Sequence, residues 1–182
     1  MKWITLFFLF FVCHIQIVTA AQTPFTWPSS TEQQGEFIQE KHLVVLTQPF
    51  ITKGNYHYQQ QTGLSWHTLH PIESEIKITR EGVNELQADG SLKTLTNNAL
   101  FSELLLALFS GEQHSLQQQF SLGQQQNTLT LIPKETQISK VILKITLHLE
   151  NNVISQIVLH EPEGNYTNIF LSPSANKDQT SL

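Results

Sequence analysis

From Phe37 onward the sequence alternates apolar and polar positions in short runs divided by Gly, Pro and Asn, the period-two signature of antiparallel strands. Phe37 to Leu46 reads as a strand that Pro49 interrupts. Ile51 to Gln59 places Tyr56 and Tyr58 on one face, with Asn55 and His57 on the other. Leu64 to His70 follows the Thr62-Gly63 turn and ends at Pro71. Glu75 to Arg80 carries Ile76 and Ile78 on one face. Val83 to Ala88 and Leu92 to Leu95 flank Asp89-Gly90, a two-residue hairpin signal. Further runs are Phe120 to Gly123, Thr128 to Ile132, Val141 to Leu149, Val153 to Glu161 and Tyr166 to Ser172. In Val141 to Leu149 the expected inner face is Val141, Leu143, Ile145, Leu147 and Leu149.

One segment breaks this rhythm. Asn97 to Phe109 has no turn signal and is rich in Leu and Ala, both good helix formers. Thr96, Asn97 or Asn98 can cap its start, and Gly111 lies just past its end. Glu103 is its only charge, so the predicted helix is buried on most sides. Roughly nine to eleven short strands in one antiparallel sheet must curl or close. The expected fold is therefore mainly β with helices: a curved sheet whose apolar concave face is filled by one greasy helix.

The ends change the picture next. Lys2, the apolar run Ile4 to Val18 and the small residues Val18-Thr19-Ala20 read as a secretory signal peptide over residues 1–20. Residues 21–35, with Pro, Ser, Thr and Gln, read as a flexible arm. The domain is expected over 36–172, and 173–182 as a disordered polar tail. The single cysteine, Cys13, lies in the leader, so the exported domain is held by its apolar core without disulfides. Export without disulfides suits the periplasm of a Gram-negative bacterium. The formal charge of −5 and scattered Lys and Arg argue against nucleic acid as a partner. Gln59-Gln60-Gln61, Gln117-Gln118-Gln119 and Gln124-Gln125-Gln126 read as polar loops and strand edges.

The stretch Gly63 to Pro71, GLSWHTLHP, is the densest in candidate chemistry. Trp66 shares a face with Leu64, Thr68 and His70, which suits a core or a pocket wall. His67 and His70, three apart on a strand, point to opposite faces and lack the converging partners that zinc needs. Ser65 and Ser121 lack a nucleophile-elbow motif. No catalytic residue, metal ligand or cofactor is assigned.

The order of these pieces resembles a known family. FIQEKHLVVLTQPFITKGNYHY followed by GLSWHTLHP is similar to the signature region of LolA-like outer-membrane lipoprotein carriers. The shared features are Phe37-x-Gln39, a Gly54-x-aromatic strand, Leu64-x-Trp66 and Pro71. An aliphatic strand, a Gly82 turn and a mid-chain apolar helix follow. The resemblance implies an incomplete, half-open β-barrel with an α-helical lid, sheltering acyl chains without metal, nucleotide or catalysis. It implies a monomeric periplasmic carrier that takes a lipoprotein, lipid or acyl conjugate from an inner-membrane exporter to an outer-membrane acceptor. The expected wall is Leu64, Trp66, Ile76, Ile78, Phe120, Leu122, Leu143, Ile145 and Ile157, with Leu104 and Leu108 on the lid. The best-known members carry an arginine near Gln60 that bonds the closed lid. Its absence here implies a lid closed mainly by apolar contact, placing the chain in a divergent branch, with a glycolipid or acyl conjugate as open to it as a lipoprotein. The competing reading is a periplasmic docking module that uses a sheet edge or apolar patch without lipid transfer.

Overall fold

The computed structural model describes residues 30–96 and 99–174. Six strands run first: β1 (Glu32–His42), β2 (Phe50–Gln59), β3 (Gly63–His70), β4 (Ser74–Thr79), β5 (Gly82–Leu86) and β6 (Leu92–Thr96). Helices α1 (Ala99–Ser110) and α2 (Gln113–Gln119) follow. Then come β7 (Phe120–Gln125), β8 (Thr128–Pro133), the single turn α3 (Thr136–Ser139), β9 (Lys144–Glu150), β10 (Val153–His160) and β11 (Tyr166–Pro173). All eleven strands form one antiparallel sheet in the order β6-β5-β4-β3-β2-β1-β11-β10-β9-β8-β7. The first and last strands are thus neighbours at its centre, and β6 and β7 are its edges. The sheet is open and curved, and the chain passes from one edge to the other through α1 and α2.

Strand pairing lines up the inner face. Gln33, Tyr58, Leu64, Ile78 and Val83 form one cross-strand row, and Gly35, Tyr56, Trp66 and Ile76 form the next. On the other side of β1, Gln39, Ile169, Ile157, Leu147 and Leu129 align. These rows join the buried side chains of α1 and α2 in one hydrophobic core. Burying a side chain of this size contributes about 1.5–3 kcal/mol, so the shared core ties both halves of the sheet together.

Two glycines shape this framework. Gly54 sits at a register shift between β2 and β3, where a Cβ would lie 1.9 Å from the carbonyl oxygen of His67. Only a bare α-carbon allows the strands to approach this closely. Gly111 ends α1 at φ 75° and donates its N–H to the Ala107 carbonyl at 3.0 Å, the left-handed stop expected there.

Several boundaries differ from the sequence reading. β1 begins at Glu32, inside the expected arm, because its first residues are polar and pair with β2 across Gln59 to Tyr56. The connection at Asp89-Gly90 is longer than a two-residue turn: Leu86 pairs with Leu92, and Gln87 donates to the Ser91 carbonyl at 2.8 Å. Gln117 to Gln119 belongs to α2, whose one buried residue is Leu116. β9 begins at Lys144 rather than Val141. The expected leader, the arm up to Ser29 and the tail from Ala175 lie outside the described residues. Among the described residues, no helix is long and apolar enough to cross a membrane.

Candidate ligand-binding face and lid

The inner face carries an aromatic platform under the end of α1. Phe37 on β1 stacks on Trp66 of β3, with centroids 3.9 Å apart, and Tyr56 of β2 lies 6.2 Å from Trp66. Phe109 of α1 comes down on this group, 5.4 Å from Tyr56 and 6.0 Å from Tyr58. Phe37, Tyr56, Tyr58 and Phe109 are buried, while Trp66 is half-buried at their edge. Such ring contacts add about 0.5–1.5 kcal/mol each beyond the area they bury.

A directional bond also holds the helix down. Gln33 projects from β1 and donates its Nε2 N–H to the Phe109 carbonyl at 2.9 Å. That carbonyl lies in the last turn of α1, where intrahelical donors run out. Burial raises Tyr58 above the ordinary phenol range, opposed by a hydrogen bond with Ser110. The contact between α1 and the sheet is therefore not apolar alone: an uncharged glutamine bonds the end of the helix. Arg80, the only arginine in the chain, lies at the β4–β5 turn. It lines a polar cleft of 700 Å³ beside α1 and α2, together with Gln60, Glu103, Glu112 and Gln119.

The structure brings most of the expected wall residues together. Leu64, Ile78, Leu104, Leu108, Phe120, Ile145 and Ile157 are buried in the shared core, with Trp66, Ile76 and Leu122 packed against it. Leu143 is not on this wall. It is 49% exposed and Val141 is 61% exposed, while Ile142 between them is buried. The alternation changes phase before β9, because these residues belong to the loop after α3. His67 faces outward, with Nε2 3.1 Å from Glu73 Oε1, and His70 is exposed. Ser65 donates to Glu75 at 2.7 Å, and Ser121 is exposed. The N-terminal arm also offers Phe25 and Trp27 as apolar cover for the remaining faces of the predicted helix, and both lie outside the described residues.

Sequence reading missed Gln33, and gave no role to Tyr56, Tyr58 or Phe109. The shared face of the two tyrosines was visible in the alternation. Gln33 gave no local signal, since a glutamine in a polar run differs from its neighbours only by what it reaches in the fold.

Two further features complete the face. Lys41 bonds the Glu161 carboxylate near its rim, and buried Thr167 donates to the same carboxylate at 3.0 Å. Beyond that pair, the β1–β2 loop exposes Val44, Val45 and Leu46, and the β3–β4 loop exposes Ile72. Residues Leu43 to Thr52 include no charged side chain.

Comparisons with known proteins find distant solved structures and one family. The MucA/MucB complex structure from Pseudomonas aeruginosa matches 83% of this chain and 56% of its own, at 13% identity and a TM-score of 0.42. A MucB crystal structure matches 86% and 58%, at 12% identity and a TM-score of 0.42. A DUF1329 family protein from Desulfovibrio piger matches 80% and 85%, at 11% identity and a TM-score of 0.38. The chain thus spans little more than half the length of the MucB chains it matches. Compared by sequence with curated proteins, it matches none. The model of the family described as outer membrane lipoprotein carrier protein LolA matches residues 29–181, a span that contains all the described residues, and the chain belongs to that family.

Proposed function

We propose that this protein is a periplasmic carrier that shelters the acyl chains of a lipoprotein or other lipid conjugate between its sheet and α1. It moves that cargo from the inner membrane toward the outer membrane. The observation that carries this reading is the helix seated on the aromatic platform. Its contact is mainly broad, apolar and non-directional, and the hydrogen bonds that Gln33 and Tyr58 make to the end of the helix involve only neutral groups. Acyl chains can replace such a contact with another of the same kind. Each buried CH₂ contributes about 0.8 kcal/mol, so one chain gives exchangeable binding and two give firm holding. The role needs no reaction and no cofactor.

The family to which the chain belongs supports lipoprotein as the first cargo to test. The exposed aliphatic rim supports transfer at a membrane or with membrane-bound partners, an exporter at the inner membrane and an acceptor at the outer. The test is purification from the native periplasm without detergent, lipid extraction with mass spectrometry, and titration with fluorescent acyl probes. Stoichiometric lipid and saturable displacement are expected. Protein free of lipid that also fails to bind probes, while retaining a polypeptide partner, would establish docking without lipid transfer and end the carrier reading.

A further inference from the structure

Tyr56 is 2% exposed, and its hydroxyl has no hydrogen-bond partner among the described residues. Packing does not account for that oxygen. A phenylalanine would bury the same ring without leaving a donor unpaired, which makes an orphaned buried hydroxyl a feature that needs another explanation. Its ring neighbours, Trp66 and Phe109, supply no acceptor, since an indole N–H only donates. Burial holds the phenol to about 12, so it stays a neutral donor throughout the physiological range. Phe109, 5.4 Å away, is the group that would leave if α1 lifted from the platform. The space so released would be walled by rings and would reach the unpaired Tyr56 hydroxyl.

We propose that Tyr56 is a specificity-determining residue whose hydroxyl donates to the carbonyl of an acyl ester or amide when cargo displaces Phe109. This rests on the carrier reading above. A neutral carbonyl suits the position. It accepts one hydrogen bond, brings no charge into a site walled by rings, and sits at the head of the hydrocarbon chain that the rest of the face would bury. An ionised carboxylate or phosphate would have to be desolvated among rings, which disfavours it strongly. The empty protein carries the unpaired donor, and cargo satisfies it. Chains ending in a carbonyl are therefore preferred over equally greasy chains without one.

The test uses the full mature chain and two matched pairs of ligands. One pair is a monoacylglycerol ester and its ether analogue. The other is a diacylglyceryl-cysteine lipopeptide and its dialkyl ether analogue. Each competes against a fluorescent alkyl probe, with wild-type protein and with Tyr56→Phe. Comparing ester-to-ether ratios between the two proteins cancels the different water solubilities of ester and ether. The wild type is expected to prefer the ester in at least one pair by about tenfold, and Tyr56→Phe to lose that preference. The pair that shows it tells whether a free glycerolipid or a lipoprotein anchor supplies the carbonyl. Tyr56→Phe is also expected to melt higher than wild type when empty, because it removes the unpaired hydroxyl. A preference retained by Tyr56→Phe, equal binding of ester and ether by wild type in both pairs, or a lower melting temperature for Tyr56→Phe overturns the assignment while leaving the carrier reading in place. Failure of all four ligands to displace the probe from wild type overturns both.

Discussion

At the scale of single residues, space and protons decide. A methyl group at position 54 would meet the His67 carbonyl well inside contact distance, and backbone cannot swing aside as a side chain can. Gly54→Ala is therefore expected to destabilise by about 3 kcal/mol or more, at the upper end of overpacking effects, as read by urea denaturation. Tyr56 gives a second expectation. Unfolded tyrosine ionises near pH 10, whereas the folded phenol is pushed up to about 12 by burial. Between those values the folded state holds the extra proton, so ionisation favours unfolding. Stability falls as pH rises from about 10 and this contribution stops falling near 12. Tyr56→Phe lacks the contribution, and the gap between the two proteins in urea midpoints measured across that range isolates it. The residue pattern exposed Tyr56 and Tyr58 as a facing pair. It could not show that Gln33 reaches α1, because that contact joins positions 76 residues apart.

At the scale of elements, α1 was legible and α2 was not. Leucine content and Gly111 mark α1 from within its own sequence. α2 contributes Leu116 as its buried residue amid glutamines, so its helical form depends on the surface it rests against. β9 shows the reverse case: its sequence alternates well from Val141, but the loop after α3 buries Ile142 and turns Val141 and Leu143 outward. Periodicity reports a face only while the backbone stays extended. Leu108 on α1 is 1% exposed, so Leu108→Ala is expected to destabilise by about 2–5 kcal/mol if α1 never leaves the sheet. If α1 opens as a lid, the loss falls below that range and acyl-probe affinity falls with it. Hydrogen exchange gives the companion measurement. The α1 amides are expected to exchange faster than those of β1 and β11, and to respond to added lipid. Equal protection, indifferent to lipid, would make α1 a fixed part of the core.

At the scale of the whole molecule, an open sheet, one core and an exposed apolar rim are joined in one chain. The open curved sheet followed from counting hairpins, and family membership from the order of short signatures across the domain. The central pairing of β1 with β11 did not follow, since no local pattern says which distant strands meet. The rim is separable from the core: Val45 is 86% exposed and lies on the β1–β2 loop. Val45→Glu is expected to change stability by no more than about 0.5 kcal/mol. It is also expected to slow cargo transfer to or from lipid vesicles, followed by a quenched acyl probe. Unchanged transfer would remove the rim from the delivery step.

The path of the chain between β6 and β7 has a mechanical consequence. The segment holding α1 and α2 is fastened to the sheet at both ends, once to each edge strand. It is connected as a strap across an open sheet rather than as a flap on one hinge. If cargo enters beneath the strap, as proposed, it would take up the slack and, once that is spent, draw the two edges toward each other. Girth of cargo and gape of the sheet would then become one variable, with an upper limit set by the strap's length. Spin labels at Thr94 and Gln124, one on each edge, would read that gape: a spacing that shifts with the number of bound acyl chains is expected, and a constant spacing would mean that the edges do not feel the load.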